Sequence, residues 1–148
     1  MSVIRADGGL AVLYATLLIP TFLILLCFVV EIGSLRVTRA RLIAAADVAA
    51  TSAVNEQDRD ALAAEGTYRL AASAATVARE LLAQELAPLA TRLANTTPEA
   101  IAASARVIQR DRATLTISFD APIRSPLLVL AALRDTTVLH IASAASAR

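Results

Sequence analysis

A single histidine, a single cysteine and a few neighbouring carboxylates are the side chains that could bind a metal or transfer protons. Because His140 stands alone, neither a histidine-based metal cluster nor a histidine-dependent catalytic triad can be built from this sequence. It falls within a β-patterned segment, where we expect it at the surface without a catalytic role. Cys27 lies inside an apolar run and has no partner for a disulfide, so we expect it to act as a small apolar side chain.

Two pairs of carboxylates, Asp58 with Asp60 and Glu80 with Glu85, are close enough in sequence to suggest acid–base chemistry. Arginines in the same stretches balance their charge, which is typical of a solvated surface. The four glycines form no phosphate-binding loop. The sequence therefore predicts a protein that is not an enzyme and that uses no metal or cofactor.

The composition also argues against a nucleic-acid partner. Of the 148 residues, 14 are basic, all of them arginine, and 13 are acidic, which gives a net charge of +1. The two signs alternate along the chain, so no basic face forms. Apolar residues make up 57% of the chain but aromatic residues only 3%. Because alanine supplies much of this apolar content, and alanine favours helix while burying little area, we expect long helices.

The longest uncharged segment lies near the N-terminus, between Asp7 and Glu31. Within it, Leu10–Val30 just reaches the roughly 20 apolar residues that a helix needs to cross a bilayer. A cleaved secretory signal would have a shorter apolar run followed by a site of small residues, which this segment lacks. The sequence predicts a retained anchor in the lipid bilayer, kinked or loosened at Pro20.

Helical periodicity continues beyond the anchor to about Asn55. Leu35, Leu42 and Ala49 recur every seven residues, with further alanines around them. Such small residues allow another helix to approach closely. An alanine-rich helix without a partner fits the composition equally well, so both interpretations remain open.

A polar break at Asn55–Asp60 precedes a second helical region. From Ala61 onward, apolar residues in steps of three and four predict a helix with one apolar stripe, which ends near Ala87 because Pro88 follows. The stripe consists of Leu70, Ala74, Val77, Leu81, Leu82, Leu86, Leu89 and Leu93.

Two further short helices are predicted where a hydroxyl residue precedes a proline. Thr97-Pro98-Glu99 combines a capping side chain, a proline at the first helical position and an acid in the first turn. We expect this helix to run to about Ala103. By the same reasoning, Ser125-Pro126 starts a helix over Leu127–Leu133.

Alternation of apolar and polar residues predicts a strand over Ala113–Ile123, with one face buried. Ala105–Gln109 is its predicted partner across a polar turn, and Thr136–Ala145 is a third strand. The sequence therefore predicts an α+β fold, in which a further helix packs on a small antiparallel sheet of about three strands. The predicted parts are a leader-like segment 1–9, a transmembrane and stem helix 10–55 and a soluble domain 56–148.

An ordered set of motifs runs along the first 55 residues. It comprises a glycine pair, an aromatic residue and a proline inside the apolar helix, an acid-x-Gly exit, Arg-x-Arg-Leu and Ala-Ala-Asp-x-Ala-Ala. These motifs fall on Gly8, Gly9, Tyr14, Pro20, Glu31, Gly33, Arg39, Arg41, Leu42 and Asp47. In this order they resemble the TadE/TadG-like proteins of the tight-adherence (Tad, or Flp) pilus system.

The resemblance implies a pilin-like fold and the role of a minor pilin, a pseudopilin or an accessory assembly component. Its partners would be other pilin-like subunits and Tad-type assembly proteins, contacted through the N-terminal helix, together with a prepilin peptidase. The resemblance also implies a single-pass protein of the bacterial inner membrane, available for incorporation into a surface pilus.

Members of the TadE kind look like substrates of a prepilin peptidase that cuts after a glycine, and glutamate is the fifth residue of their mature chain. Cleavage after Gly8 would place Leu13 at this position, and cleavage after Gly9 would place Tyr14 there. Neither residue is acidic. The resemblance therefore leaves open an uncleaved TadG-like protein or a minor pilin of the tip type, and we expect a low-copy component in either case.

Arginine distribution and resemblance point to opposite topologies. Arg36, Arg39 and Arg41 outnumber Arg5, so the positive-inside rule would keep the C-terminal side in the cytoplasm. Pilin-like proteins place the C-terminal domain outside the cytoplasm, which is the orientation we expect. The alternative function is a single-pass envelope protein whose soluble domain binds another envelope component without a role in a filament.

Overall fold

A computed structural model describes residues 4–56, 58–67, 69–125 and 135–147. Four α-helices, a short 3₁₀ segment and three strands follow one another in these residues. In chain order they are α1 (Ile4–Val54), α2 (Arg59–Glu65), α3 (Ala74–Leu86), the 3₁₀ segment Ala87–Arg92, α4 (Pro98–Ser104), β1 (Arg106–Gln109), β2 (Thr114–Arg124) and β3 (Thr136–Ser146). The predicted α+β class, with one long apolar helix at the N-terminus, is confirmed.

The chain divides into two compact units. One consists of Met1–Leu35 and Ser125–Asp135, and the other, here called the head unit, of Arg36–Arg124 and Thr136–Arg148. The long helix α1 contributes its first part to one unit and its second part to the other.

α1 is continuous over 51 residues, with Pro20 inside it. Leucine and alanine dominate its sequence, and both are strong helix formers. It ends at Val54, where the chain turns through hydrogen bonds from the Asn55 N–H to the Ser52 carbonyl (3.1 Å) and from the Glu56 N–H to the Ala53 carbonyl (3.2 Å). The polar break predicted at Asn55–Asp60 is confirmed.

The prediction of one helix from Ala61 to Ala87 is wrong. α2 ends at Glu65 because Gly66 adopts a left-handed conformation (φ 62°) and its N–H caps the Leu62 carbonyl. α3 begins only at Ala74. Between them the chain runs back past the end of α1, where the Ala71 N–H donates to the Glu56 carbonyl at 2.9 Å.

Two leucines of the predicted stripe therefore lie outside helices. Leu70 donates its N–H to the Arg112 carbonyl at 3.3 Å, and Leu93 forms an isolated bridge with Ile123 of β2. Both are buried. The apolar spacing of three and four residues therefore predicted correctly that these two side chains are buried. It predicted the wrong backbone conformation, because both residues lie outside helices. The predicted end of the helix before Pro88 is confirmed, since α3 stops at Leu86 and continues as the 3₁₀ segment.

The short helix α4 begins as predicted. The Thr97 hydroxyl accepts a hydrogen bond from the Ala100 N–H at 3.2 Å, and Pro98 occupies the first turn. Glu99 lies at this helix start, and a backbone hydrogen bond, followed by one from the Thr97 side chain, lowers the pKa of its carboxyl. The helix predicted over Leu127–Leu133 lies outside the described residues.

The three strands form one antiparallel sheet in the order β1-β2-β3. β2 lies in the centre, with Ile117 opposite Val107 on one side and Ser143 on the other. At the β1–β2 turn, the Asp111 carboxylate accepts the Ala113 N–H at 2.9 Å. This hydrogen bond, with a smaller contribution from Thr114, lowers the pKa of Asp111.

The sheet has one covered face and one open face. The covered face carries the odd-numbered residues of β2, all buried as predicted: Leu115, Ile117, Phe119, Ala121 and Ile123. Opposite them on the same face of β3 lie Ala145, Ser143, Ile141, Leu139 and Thr137. α4 contacts β2, and α3 contacts both α4 and β1, which adds helical cover to the sheet.

Candidate functional site

The first half of α1 presents apolar side chains to its surroundings. From Ala11 to Leu26 every side chain is exposed, including those of Leu13, Tyr14 and Phe22. Among the described residues, α1 is the one helix long and apolar enough to cross a membrane. An exposed apolar surface of this length is stable only in lipid or against other apolar helices.

Two threonine hydroxyls within this apolar stretch are satisfied inside the helix. The Thr16 hydroxyl donates to the Val12 carbonyl and the Thr21 hydroxyl to the Leu17 carbonyl, both at 2.8 Å. Such bonds let hydroxyl side chains enter an apolar environment without water. Pro20 lacks an N–H, so it cannot donate to the Thr16 carbonyl as an ordinary residue would.

A shallow recess on this half of α1 is lined by several residues that the sequence analysis named as candidate site residues. Gly9, Leu13 and Pro20 line it together with the two threonines, because positions 9, 13 and 20 share one helix face. A side-chain carbon added at Gly9 would meet no atom within 4 Å. Gly8 lies in the first turns of α1. Gly9, one of the two candidate cleavage residues, therefore lies on the same face of α1 as Leu13, the position that the resemblance assigns to the glutamate.

The surroundings of α1 change at Glu31. This carboxylate residue is only 4% exposed, directly after the exposed Val30. Two residues further on, Gly33 is exposed and has open space around it. The acid-x-Gly motif thus places one buried and one exposed residue where the uncharged span ends.

Within the head unit, α1 carries a continuous buried stripe. Leu42 and four alanines on this stripe have no exposed surface. The stripe consists of Thr38, Leu42, Ala45, Ala46, Ala49, Ala50, Ala53 and Val54. The alanine surface that could have received a foreign helix is therefore buried within this chain.

The charged motif residues of the stem that follow Glu31 remain exposed. Arg39 and Arg41 are exposed. Asp47 accepts a hydrogen bond of 2.5 Å from the hydroxyl of Ser143 on β3. This bond connects the second half of α1 to a residue on the covered face of the sheet. The motif Ala-Ala-Asp-x-Ala-Ala therefore combines four inward alanines with one polar contact to β3, a contact that the sequence analysis did not foresee.

His140 lies on the open face of the sheet, as predicted. Its Nδ1 is 2.6 Å from an Asp120 carboxylate oxygen on β2, and the two side chains are 78% and 66% exposed. A water-exposed cross-strand pair of this kind contributes little stability. No group of three potential metal ligands occurs in the described part of the chain.

Enlarging the inward alanines of the stem should destabilise the head unit. We expect Ala49→Leu to lower the free energy of unfolding by about 1–3 kcal/mol, because the added methyl groups must be accommodated at a position that has no exposed surface. Ala44→Leu, on the exposed side of the same helix, should change it by less than about 0.5 kcal/mol. Hydrogen exchange of β2 amides in detergent measures both values, and equal effects would contradict this packing.

Comparison with known proteins identifies one family. Residues 8–64 match the Tad family of Flp pilus-assembly TadE/G-like proteins, which covers α1 from Gly8 onward and most of α2. No curated protein and no solved structure matches the chain. The matched segment contains the exposed apolar half of α1, the recess at Leu13 and the alanine motif buried in the head unit. Over this segment, the chain is similar to the TadE/G-like pilus-assembly proteins of the Tad system.

Proposed function

We propose that this chain is a minor, non-catalytic pilin-like subunit or accessory assembly component of a Tad-type pilus. The observation that carries the proposal is the division of α1: one half exposes an uncharged and largely apolar surface, and the other half belongs to a folded head unit. The family match covers both halves. A helix built in this way can wait in a bilayer and then pack against the apolar helices of other subunits.

The residue at position 13 supports a low-copy role. An acidic residue in an apolar helix is costly unless a partner, such as the N-terminal amine of a neighbouring subunit, neutralises it. Leu13 is 64% exposed and apolar, so no such charged contact forms at this position. It can join an apolar bundle without fixing the register of the next subunit, as suits a terminal or accessory component.

We place the anchor in the inner membrane and the head unit outside the cytoplasm. Arg36, Arg39 and Arg41 would oppose this topology if arginine count alone set it. A reporter enzyme fused after Arg148 tests the orientation: activity of a periplasmic reporter is expected, and activity restricted to a cytoplasmic reporter would contradict it.

Processing at the glycine pair is tested by the intact mass of the protein from membranes, with and without a co-expressed prepilin peptidase. Loss of the first eight or nine residues would establish cleavage after Gly8 or Gly9. A Gly8→Leu, Gly9→Leu double variant serves as the uncleavable control. An unchanged mass of the parent chain would establish the uncleaved, TadG-like alternative.

The pilus role itself is tested in a strain that lacks this gene. We expect fewer or no Tad pili by electron microscopy, restored by the parent chain. Quantitative proteomics of purified filaments should find this chain far below the major subunit in amount. Normal piliation in the deletion strain would refute an assembly role, and finding this chain as the main filament protein would refute the minor one.

A further inference from the structure

The outer edge of β3 offers a row of backbone hydrogen-bonding groups. The Ser125 N–H donates to the Asp135 carbonyl and the Ala147 N–H to the Ala113 carbonyl, both at 2.9 Å. In an antiparallel pair such groups alternate in direction, so the odd-numbered residues of β3 bond to β2. The even-numbered residues Thr136, Val138, His140, Ala142, Ala144 and Ser146 therefore direct their N–H and C=O groups away from the sheet.

No described residue pairs with this outer edge, and nothing on β3 protects it. Edge strands usually carry lysine, proline or a bulge, or are short, because a long flat edge pairs with other chains. β3 is 11 residues long, contains no proline and no Asp, Glu, Lys or Arg, and pairs with β2 without interruption. Its one titratable side chain, His140, is already held by Asp120.

The opposite edge of the sheet differs. β1 has only four residues, Arg106–Gln109. Thr67 and Arg69 lie beside Gln109 and the following turn, and Leu70 is bonded to Arg112. A head-to-tail array in which β3 of one copy pairs with β1 of the next would leave most of the β3 edge unpaired.

Antiparallel pairing between the β3 strands of two copies is also unfavourable. Identical strands that pair antiparallel are related by a twofold axis perpendicular to the sheet. Because a helix packed on a sheet lies in the plane of that layer, this axis would reverse the direction of α1 in the second copy. Two copies anchored in one bilayer keep α1 in the same direction, so this step rests on the membrane anchoring of the proposed function.

We propose that the β3 edge receives an extended strand from a different envelope protein, which extends the sheet to four strands. The chemistry of β3 defines this partner: an uncharged segment of at least six residues that supplies backbone N–H and C=O groups to the even-numbered residues. Leu139 and Thr137 are only half-buried on the covered face, so alternate partner residues on that face are apolar. On the open face, Ala142 and Ala144 leave room for side chains of the incoming strand.

Site-specific photocrosslinking of the full chain in its native membrane tests this proposal. The photoreactive residue p-benzoylphenylalanine replaces Val138, which is 50% exposed beside the β3 edge, or Ala64 on α2 as a matched exposed control. We expect a heterotypic adduct from position 138 and none from position 64. Peptide mapping of the adduct should locate the crosslink in an uncharged segment of the partner.

Edge variants then distinguish strand addition from any other contact. Ala142→Pro removes an outward N–H while leaving the β2–β3 hydrogen bonds intact, and should lower the adduct yield about tenfold. Ala144→Lys should lower it similarly by placing a charge at the edge, whereas Ala142→Ser keeps the N–H and should preserve the yield. Hydrogen exchange of β2 amides confirms that each variant remains folded.

These experiments decide whether the β3 edge receives a strand from another protein. A homodimeric adduct, a crosslink in a helical or charged segment, or a yield that does not respond to Ala142→Pro and Ala144→Lys in folded protein would overturn strand addition. None of these results would affect membrane anchoring or pilus formation, which are measured separately.

Discussion

Replacing Ile19 and Leu23 together by arginine is expected to release the chain from the membrane. Both side chains are more than half exposed near the middle of the apolar half of α1. Each arginine costs about 2.5–3.5 kcal/mol at the centre of a membrane helix, so the pair should shift insertion by several orders of magnitude. Alkaline carbonate extraction measures the change as a move from the pellet to the soluble fraction or as loss of the protein.

Leu62→Arg is the matched control for this prediction. Leu62 is also an exposed leucine (41%), but it lies on α2 in the head unit. The variant should stay in the carbonate pellet like the parent chain. If the Ile19→Arg, Leu23→Arg variant also stayed there, α1 would not be the membrane anchor.

Truncating the centre of β2 is expected to unfold the head unit more effectively than any surface change. Ile117 has no exposed surface and lies between Val107 and Ser143 on the covered face. Ile117→Ala should cost about 2–5 kcal/mol, because it removes buried methyl groups and leaves a cavity. For a unit of roughly 100 residues, each kcal/mol lowers the Tm by about 4–8 °C.

Ile108→Ala on the neighbouring strand provides the comparison. Ile108 is 52% exposed and its neighbour across the sheet is Thr116, on the open face. This variant should cost less than about 1 kcal/mol, which reflects strand preference rather than a cavity. Hydrogen exchange of the β2 amides gives both free energies, and similar values would show that the sheet is covered on both faces.

The strands and the start of α4 were predictable because local chemistry fixes them. Alternation over β2 needs no knowledge of the partner strands to indicate which face is buried. Thr97 and Pro98 start α4 through contacts within one turn. The stop at Leu86 follows from a proline two residues later, which acts on the backbone directly.

The break between α2 and α3 was not predictable from apolar spacing, because buried loop residues produce the same spacing as a helix. Leu70 is buried through a hydrogen-bonded extended segment. Gly66 carried the available signal, since a glycine with helical residues before it often ends a helix in the left-handed conformation.

The candidate site was predicted from the order of motifs along the stem rather than from their geometry. The sequence identified Asp47 but not its partner Ser143, which follows 96 residues later in the chain and approaches only through the fold. The burial of Glu31 was also not predictable from the sequence, because a charged residue at the end of an apolar span is expected to be exposed.

The buried stripe on α1 determines how the head can be prepared for crystallography or NMR. A fragment that starts at the first loop, at Glu56, discards Leu42, Val54 and the alanines between them that complete the core. We expect it to be insoluble or molten. A fragment that starts at Arg36, where the compact unit begins, keeps those residues and omits the apolar span. The useful cloning boundary therefore lies inside the longest helix.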